Sequence, residues 1–211
     1  MSKEIGGKIR DAVDAAGLAP LDEAATDRLG AYVSLILRWN RRMSLTAIRG
    51  EDQIVSLHII ESINVSVALP RGIRSLLDFG SGAGLPGIPI AICRPEIDVT
   101  LAESQNKKAA FLMEAVRVLG LSAKVHSGRA EELKAQFDCV TLRAVDKMAT
   151  AVTSAAGLVA PNGWLALMTT VADLDELQAA AGSGFDWADT LPLTASHTRI
   201  LALGRKISSQ S

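Results

Sequence analysis

Two cysteines, three histidines and a single tyrosine are all that this 211-residue chain offers of those residue types, and each scarcity narrows what it can do. Cys93 and Cys139 sit inside apolar stretches without metal-ligand spacing, so neither a disulfide framework nor a thiolate metal site is expected. They read as buried thiols of a reducing compartment. Long hydrophobic runs are missing too. No uninterrupted apolar stretch reaches the roughly 20 residues a membrane-spanning helix needs, and the N-terminus shows no basic segment followed by an apolar run. A cytoplasmic location without membrane or metal is the expectation. Nor is there an excess of positive charge: 22 Lys and Arg stand against 23 Asp and Glu. Any contact with nucleic acid must therefore come from local basic patches rather than a global field.

What is present is a change of periodicity along the chain. Through residues 1–72 apolar positions recur at three and four, as in Ile5, Ile9 and Val13, then Leu29, Val33, Ile36 and Leu37. Gly17 and Pro20 separate the first two helices, and Pro70 with Gly72 closes a third over 51–68. From Ser75 onward short apolar runs at 76–79, 99–101, 123–126, 139–142 and 164–168 alternate with helical stretches. That alternation predicts an α/β fold: a Rossmann-like, mostly parallel sheet over 73–207, one compact unit preceded by a helical extension over 1–72. Strand-like runs at 187–191 and 198–203 without a long helix between them predict a closing antiparallel hairpin. A monomer is expected, with a short polar tail from Ser208 to Ser211.

The first strand turns through Asp78-Phe79-Gly80-Ser81-Gly82-Ala83-Gly84-Leu85-Pro86-Gly87 into a helix. Such a loop lets backbone approach a ligand closely at a helix N-terminus. Gly82, Gly84 and Gly87 also satisfy the dinucleotide spacing, so the glycines alone do not select a cofactor. Asp78 in the first loop and Glu103 at the end of the second strand do. A second-strand acid holds a ribose diol, whereas an acid inside the first loop suits the cationic amino-acid end of S-adenosylmethionine and repels a pyrophosphate. Tyr32 has Ile36 where the Lys partner of many dehydrogenases would stand, which argues against hydride transfer. A third strand ending near His126 leads into Ser127-Gly128-Arg129-Ala130-Glu131-Glu132, where an acid can meet the adenine amino group.

These residues resemble the RsmG (GidB) methyltransferases, which make 7-methylguanosine in 16S ribosomal RNA. The resemblance is carried by the segment 39–46 with Trp39, Asn40, Arg41 and Arg42, by His58-Ile59-Ile60-Glu61-Ser62, by the glycine loop, by Glu103-Ser104 with Lys107-Lys108 and Phe111-Leu112, and by Arg143-Ala144. It implies S-adenosylmethionine as cofactor and the small ribosomal subunit or its 16S RNA as substrate, in a bacterial cytoplasm. It assigns Gly80, Leu85, Ala130, Glu131 and Arg143 to cofactor contacts with Glu103 as the ribose acid, and places Arg143 at the reaction centre. The family commonly has Asn where Ser44 stands, Asp where Glu61 stands, and a Lys-Gly pair where Thr169-Thr170 stand.

The fourth strand end, Thr141-Leu142-Arg143-Ala144, lacks the Asn/Asp-Pro-Pro-aromatic motif of amino-group methyltransferases. Neither cysteine is placed to attack a pyrimidine. Guanine N7 carries a lone pair and no proton, so its methylation needs neither a base nor a metal. Arg143 can serve as the catalytic donor to the guanine edge or a phosphate; its structural alternative is an ion pair with Asp138 or Asp146. Arg41, Arg42, Lys107, Lys108 and Arg199 are the candidate RNA contacts. Methylation of another RNA acceptor, a non-catalytic ribosome-associated cofactor-binding protein and a nicotinamide-dependent dehydrogenase are the competing readings.

Overall fold

In the computed structural model, residues 2–43, 45–48, 50–193 and 198–208 are described; Ser44 and positions 209–211 of the polar tail lie outside them. Helix α1 (Ser2–Ala15) buries Ile5, Ile9 and Val13, and α2 (Glu23–Asn40) buries Leu29, Val33 and Ile36, the faces that the three-and-four spacing predicts. Asp22 caps α2 by accepting from the Ala25 N–H at 2.6 Å. The two helices pack close at Gly30, where a Cβ would stand 2.6 Å from the Ser2 carbonyl. The third helical stretch is interrupted: α3 (Glu51–Ile54) runs through a π-helical turn (Val55–Ile59) into α4 (Ile60–Ala68).

Beyond Pro70 the chain enters the sheet: β1 (Ser75–Phe79), β2 (Asp98–Ala102), β3 (Lys124–His126), β4 (Phe137–Arg143), β5 (Val159–Thr170), β6 (Phe185–Trp187), β7 (Leu191–Pro192) and β8 (Arg199–Lys206). The strand order is β3-β2-β1-β4-β5-β8-β6, with β7 paired to β8. The first five strands are parallel, and β8 returns antiparallel beside β5. Helices α5 (Gly87–Cys93) and α6 (Asn106–Leu119) share one apolar cluster with α1, α2 and α4; α7 (Met148–Leu158) and α8 (Leu174–Ala181) belong to the other. Successive strand residues alternate between the clusters: Leu76 joins the first and Leu77 the second, Cys139 the first and Val140 the second. Each fully buried Leu or Ile contributes on the order of 1.5–3 kcal/mol.

The expected antiparallel closing hairpin forms, but its first strand is split. Instead of one strand over 187–191, the chain pairs Phe185 to Trp187 with β8, then pairs it again only at Leu191 and Pro192. Pro192 donates no backbone hydrogen bond and confines β7 to a stub, while the Trp187 ring lies against Gly204, where a Cβ would come within 2.9 Å of it. The acidic segment after β3 forms a 3-10 turn (Ala130–Glu132).

Because β2 and β4 flank β1 on opposite sides, the crossovers diverge there, and a crevice opens beyond the carboxyl ends of these strands. The glycine loop lies at that point.

Candidate cofactor cleft and reaction centre

The glycine loop is built to hold a backbone shape that side chains oppose. Gly80 has φ +68, and a Cβ on it would lie 3.1 Å from a Val145 methyl; Gly84 has φ +85, and its Cβ would lie 2.5 Å from Ile88. The loop is tied by the Ser81 N–H to the Ala102 carbonyl at 2.9 Å and by the Gly84 N–H to the Ser81 carbonyl at 2.7 Å. It is also held from outside the sheet. The Tyr32 hydroxyl, fully buried on α2, donates to the Ala83 carbonyl at 2.5 Å. Nothing in the sequence around Tyr32 marks this partner.

Asp78 does not face the crevice openly. It is 1 % exposed, and its carboxylate accepts from the Thr141 hydroxyl at 3.0 Å and the Gly87 N–H at 3.2 Å. Asp78 and Thr141 are register partners on β1 and β4, a polar pair inside an apolar face. Burial pushes the Asp78 carboxyl up to about 6 against the pull of these hydrogen bonds. Its place is beneath the loop, joining β1, β4 and the start of α5.

Glu103 follows β2 and is buried, with one oxygen accepting from the Gly82 N–H at 2.9 Å and the other from the Gln105 N–H at 2.8 Å. Each oxygen keeps further acceptor capacity. The sequence-predicted acid thus reaches the glycine loop directly. At the neighbouring strand end Ala130 is buried and Glu131 exposed, and Leu85 closes the loop with 8 % exposure.

Arg143, the last residue of β4, extends the strand register one step beyond Phe79–Leu142 and so stands beside Gly80. Its side chain is 6 % exposed. Its partner is neither Asp138 nor Asp146. Asp138 accepts from the Arg74 and Ser75 N–H groups, while Arg143 Nη2 contacts Glu61 Oε2 at 3.0 Å, His58 Nδ1 at 2.7 Å and the Leu57 carbonyl at 3.2 Å. Leu57 and His58 lie on the π-helical turn. Glu61 is fully buried on α4, and its other oxygen lies 3.0 Å from Arg199 Nε in an ion pair without hydrogen-bond alignment. Burial pushes the Glu61 carboxyl up while the two guanidiniums pull it down. Arg143 Nη1 is buried without a hydrogen-bond partner among the described residues.

A guanidinium only donates, so His58 Nδ1 accepts, and Nε2 carries the proton toward the Thr46 hydroxyl at 3.0 Å. Thr46 and Leu45 N–H groups donate in turn to Asn40 Oδ1. The motifs around Asn40, His58 and Arg143 thus form one hydrogen-bonded chain. Burial and the Arg143 charge lower His58 to about 4.

Asp78 and His58 therefore bias stability in opposite senses. The folded Asp78, at about 6 against its usual 3.8, stabilises the fold fully below 3.8, and this contribution is lost as pH rises through 6. The contribution of His58 is present above 6.5 and lost as pH falls toward 4. At about 1.4 kcal/mol per tenfold in proton affinity, each is on the order of 3 kcal/mol, less for the partly accessible His58. Urea unfolding between pH 4 and 6.5 is expected to show Asp78→Asn gaining stability with rising pH relative to the parent and His58→Gln losing it. Parallel profiles for all three proteins would contradict the assignment.

The candidate RNA contacts do not form one patch. Arg42 and Lys107 line a common hollow with Arg38 and Trp39, while Arg41 lines a neighbouring one beside Ser34 and Glu51. Lys108 is half-buried on α6, and Arg199 is ion-paired with Glu61, away from those hollows. No group of three or more His, Cys, Asp and Glu among the described residues can hold a metal ion, and no described helix is long and apolar enough to cross a membrane.

Comparison with known proteins supplies independent findings. The family model described as rRNA small subunit methyltransferase G (GidB) matches residues 25–185. A ribosomal RNA small subunit methyltransferase G from Neisseria meningitidis serogroup A is 41% identical over 168 residues, covering 78% of this chain and 79% of that protein. The protein of the same name from Xanthomonas euvesicatoria is 40% identical over 176 residues, with 82% of each covered. Among solved structures, magnesium protoporphyrin IX methyltransferase from Synechocystis with bound SAM superposes with TM-score 0.59 at 19% identity, covering 90% of this chain and 99% of that one. A structure described as a predicted O-methyltransferase from Agrobacterium tumefaciens gives TM-score 0.58 at 22% identity over 72% of this chain and 82% of its own. These two show the methyltransferase fold.

Proposed function

Because this chain belongs to the rRNA small subunit methyltransferase G family, we propose that it transfers a methyl group from S-adenosylmethionine to N7 of a guanine in 16S ribosomal RNA of the small subunit. The observation that carries this is the meeting of Glu103 and Arg143 at the glycine loop, at the point where the crossovers diverge.

The residues present fit the cofactor. A Cβ on Gly82 would have nothing nearer than 3.9 Å, so the loop is open above it, and the buried Glu103 carboxylate stands ready for a ribose diol. When bound, S-adenosylmethionine supplies a sulfonium methyl group susceptible to in-line attack. Gly80, Gly82, Gly84 and Leu85 would then offer close backbone, Glu103 would accept from the ribose hydroxyls, and Ala130 with Glu131 would border the adenine. Asp78 acts at one remove, by holding the loop and lending it negative potential. Arg143 would orient the acceptor base. With no proton to remove from N7, orientation supplies most of the acceleration, for which roughly 7–11 kcal/mol is attainable.

In this reading residues 73–207 form the catalytic domain and 1–72 its helical extension, with Arg41, Arg42, Lys107, Lys108 and the exposed part of Arg199 meeting RNA phosphates. The protein works as a monomer in the bacterial cytoplasm. Labelled methyl transfer to unmodified small ribosomal subunits, followed by nuclease digestion, is expected to yield 7-methylguanosine. Label on another nucleoside would overturn the N7 assignment, and cofactor binding without transfer would favour a non-catalytic ribosome-associated protein.

A further inference from the structure

Glu61 is a fully buried carboxylate clasped by guanidiniums from two strands, Arg143 of β4 and Arg199 of β8, with His58 one turn earlier on its own helix. Tyr32 of α2 and Asp78 of β1 also act electrostatically on Arg143. Such a clasp is an unusual place to leave a donor idle, yet Arg143 Nη1 is buried and unpartnered among the described residues. A buried donor without an acceptor is costly, and Arg143 ends β4 beside the glycine loop, where a ligand could supply the missing partner.

We infer that Glu61 is a positioning residue of methyl transfer: it anchors Arg143 through Nη2 so that Nη1 is free to donate to guanine O6, and it offsets one of the two guanidinium charges of the clasp. The inference rests on the N7 reading above. O6 lies beside N7 on the same edge of guanine, whereas adenine presents an amino donor there, which Nη1 would repel. Arg143 therefore selects guanine. The charge balance matters because the N7 lone pair forms the bond to the methyl carbon as the sulfur–carbon pair returns to sulfur. One positive charge passes to the base. Two guanidiniums in a low-dielectric pocket would oppose that arrival; the Glu61 carboxylate between them offsets one of the two charges.

The test uses the full chain with Glu61→Gln, which removes the charge and keeps the shape, and Glu61→Asp, which keeps the charge. Glu61→Gln is expected to slow single-turnover transfer to unmodified small subunits on the order of 10- to 100-fold, with S-adenosylmethionine affinity nearly unchanged. Glu61→Asp is expected to recover much of the loss. Nitrogen-15 spectra should show the Arg143 side-chain N–H signals protected from solvent exchange in the parent and exchanging freely in Glu61→Gln. In the parent, excess guanosine 5′-monophosphate should shift the Arg143 Nη1 signal and adenosine 5′-monophosphate should not, a readout that needs no folded variant. Parental transfer by Glu61→Gln, equal loss of cofactor binding and transfer, an unaltered Arg143 signal, or equal response to both nucleotides would overturn the inference. Label found away from N7 would instead defeat the functional reading, while the exchange measurement would still decide whether Glu61 holds Arg143.

Discussion

Gly80→Asp is expected to abolish methyl transfer and cofactor binding together. The native φ of +68 lies where an L side chain costs roughly 1–2 kcal/mol, and the new Cβ would stand 3.1 and 3.3 Å from the two Val145 methyls. The aspartate adds a carboxylate two residues from the buried Asp78, in the loop whose Gly82 N–H donates to Glu103. A hundredfold weakening corresponds to about 2.8 kcal/mol, which strain and crowding can supply even before the added charge. Titration calorimetry with S-adenosylmethionine should rank the parent above Gly80→Ala, and Gly80→Ala above Gly80→Asp. Parental affinity in Gly80→Asp would mean that the loop does not hold the cofactor.

Arg143→Ala should be as severe for transfer, and it should also unsettle the fold. Its removal leaves Glu61 with Arg199 alone and takes the Arg143 donor away from His58 Nδ1 and the Leu57 carbonyl, which lie 3.2 Å from each other. Breaking one side of a buried ion pair costs about 3–5 kcal/mol where the remaining charge is left uncompensated; with Arg199 still facing Glu61 the loss falls toward the lower end. Urea unfolding near neutral pH is expected to show a loss of that order, together with no detectable 7-methylguanosine. The double variant Arg143→Ala/Glu61→Gln should regain part of the lost stability without regaining activity. If the double variant were less stable than Arg143→Ala, the charge left on Glu61 would not be what destabilises the single variant.

The glycine loop and Glu103 were legible because their signal is local: a strand, a turn that only glycines tolerate, and an acid at the next strand end. The parallel strands were legible for the same reason, through alternating apolar runs. Arg143 and Glu61 were visible as residues but not as a pair, since 82 positions separate them. The sequence neighbours considered for Arg143 fail on geometry. Asp138 sits at the irregular start of β4, where it holds the Arg74 and Ser75 N–H groups, and Asp146 lies past the strand. Arg199, expected at an RNA phosphate, is ion-paired with a buried carboxylate that only the β5–β8 pairing brings near. The π-helical turn that presents Leu57 and His58 leaves no compositional trace. The hairpin strand expected over 187–191 is split into 185–187 and 191–192, because a proline stub and a Trp–Gly contact set the pairing there.

The hydroxyl of Tyr32 ends on the carbonyl of Ala83, inside the loop, and the chain has no other tyrosine. A fluorine atom introduced on tyrosine throughout the protein would therefore give one resonance, from one ring, touching one peptide of the glycine loop. The scarcity of tyrosine becomes a spectroscopic convenience: loop occupancy can be followed at a single site without labelling the ligand or the RNA.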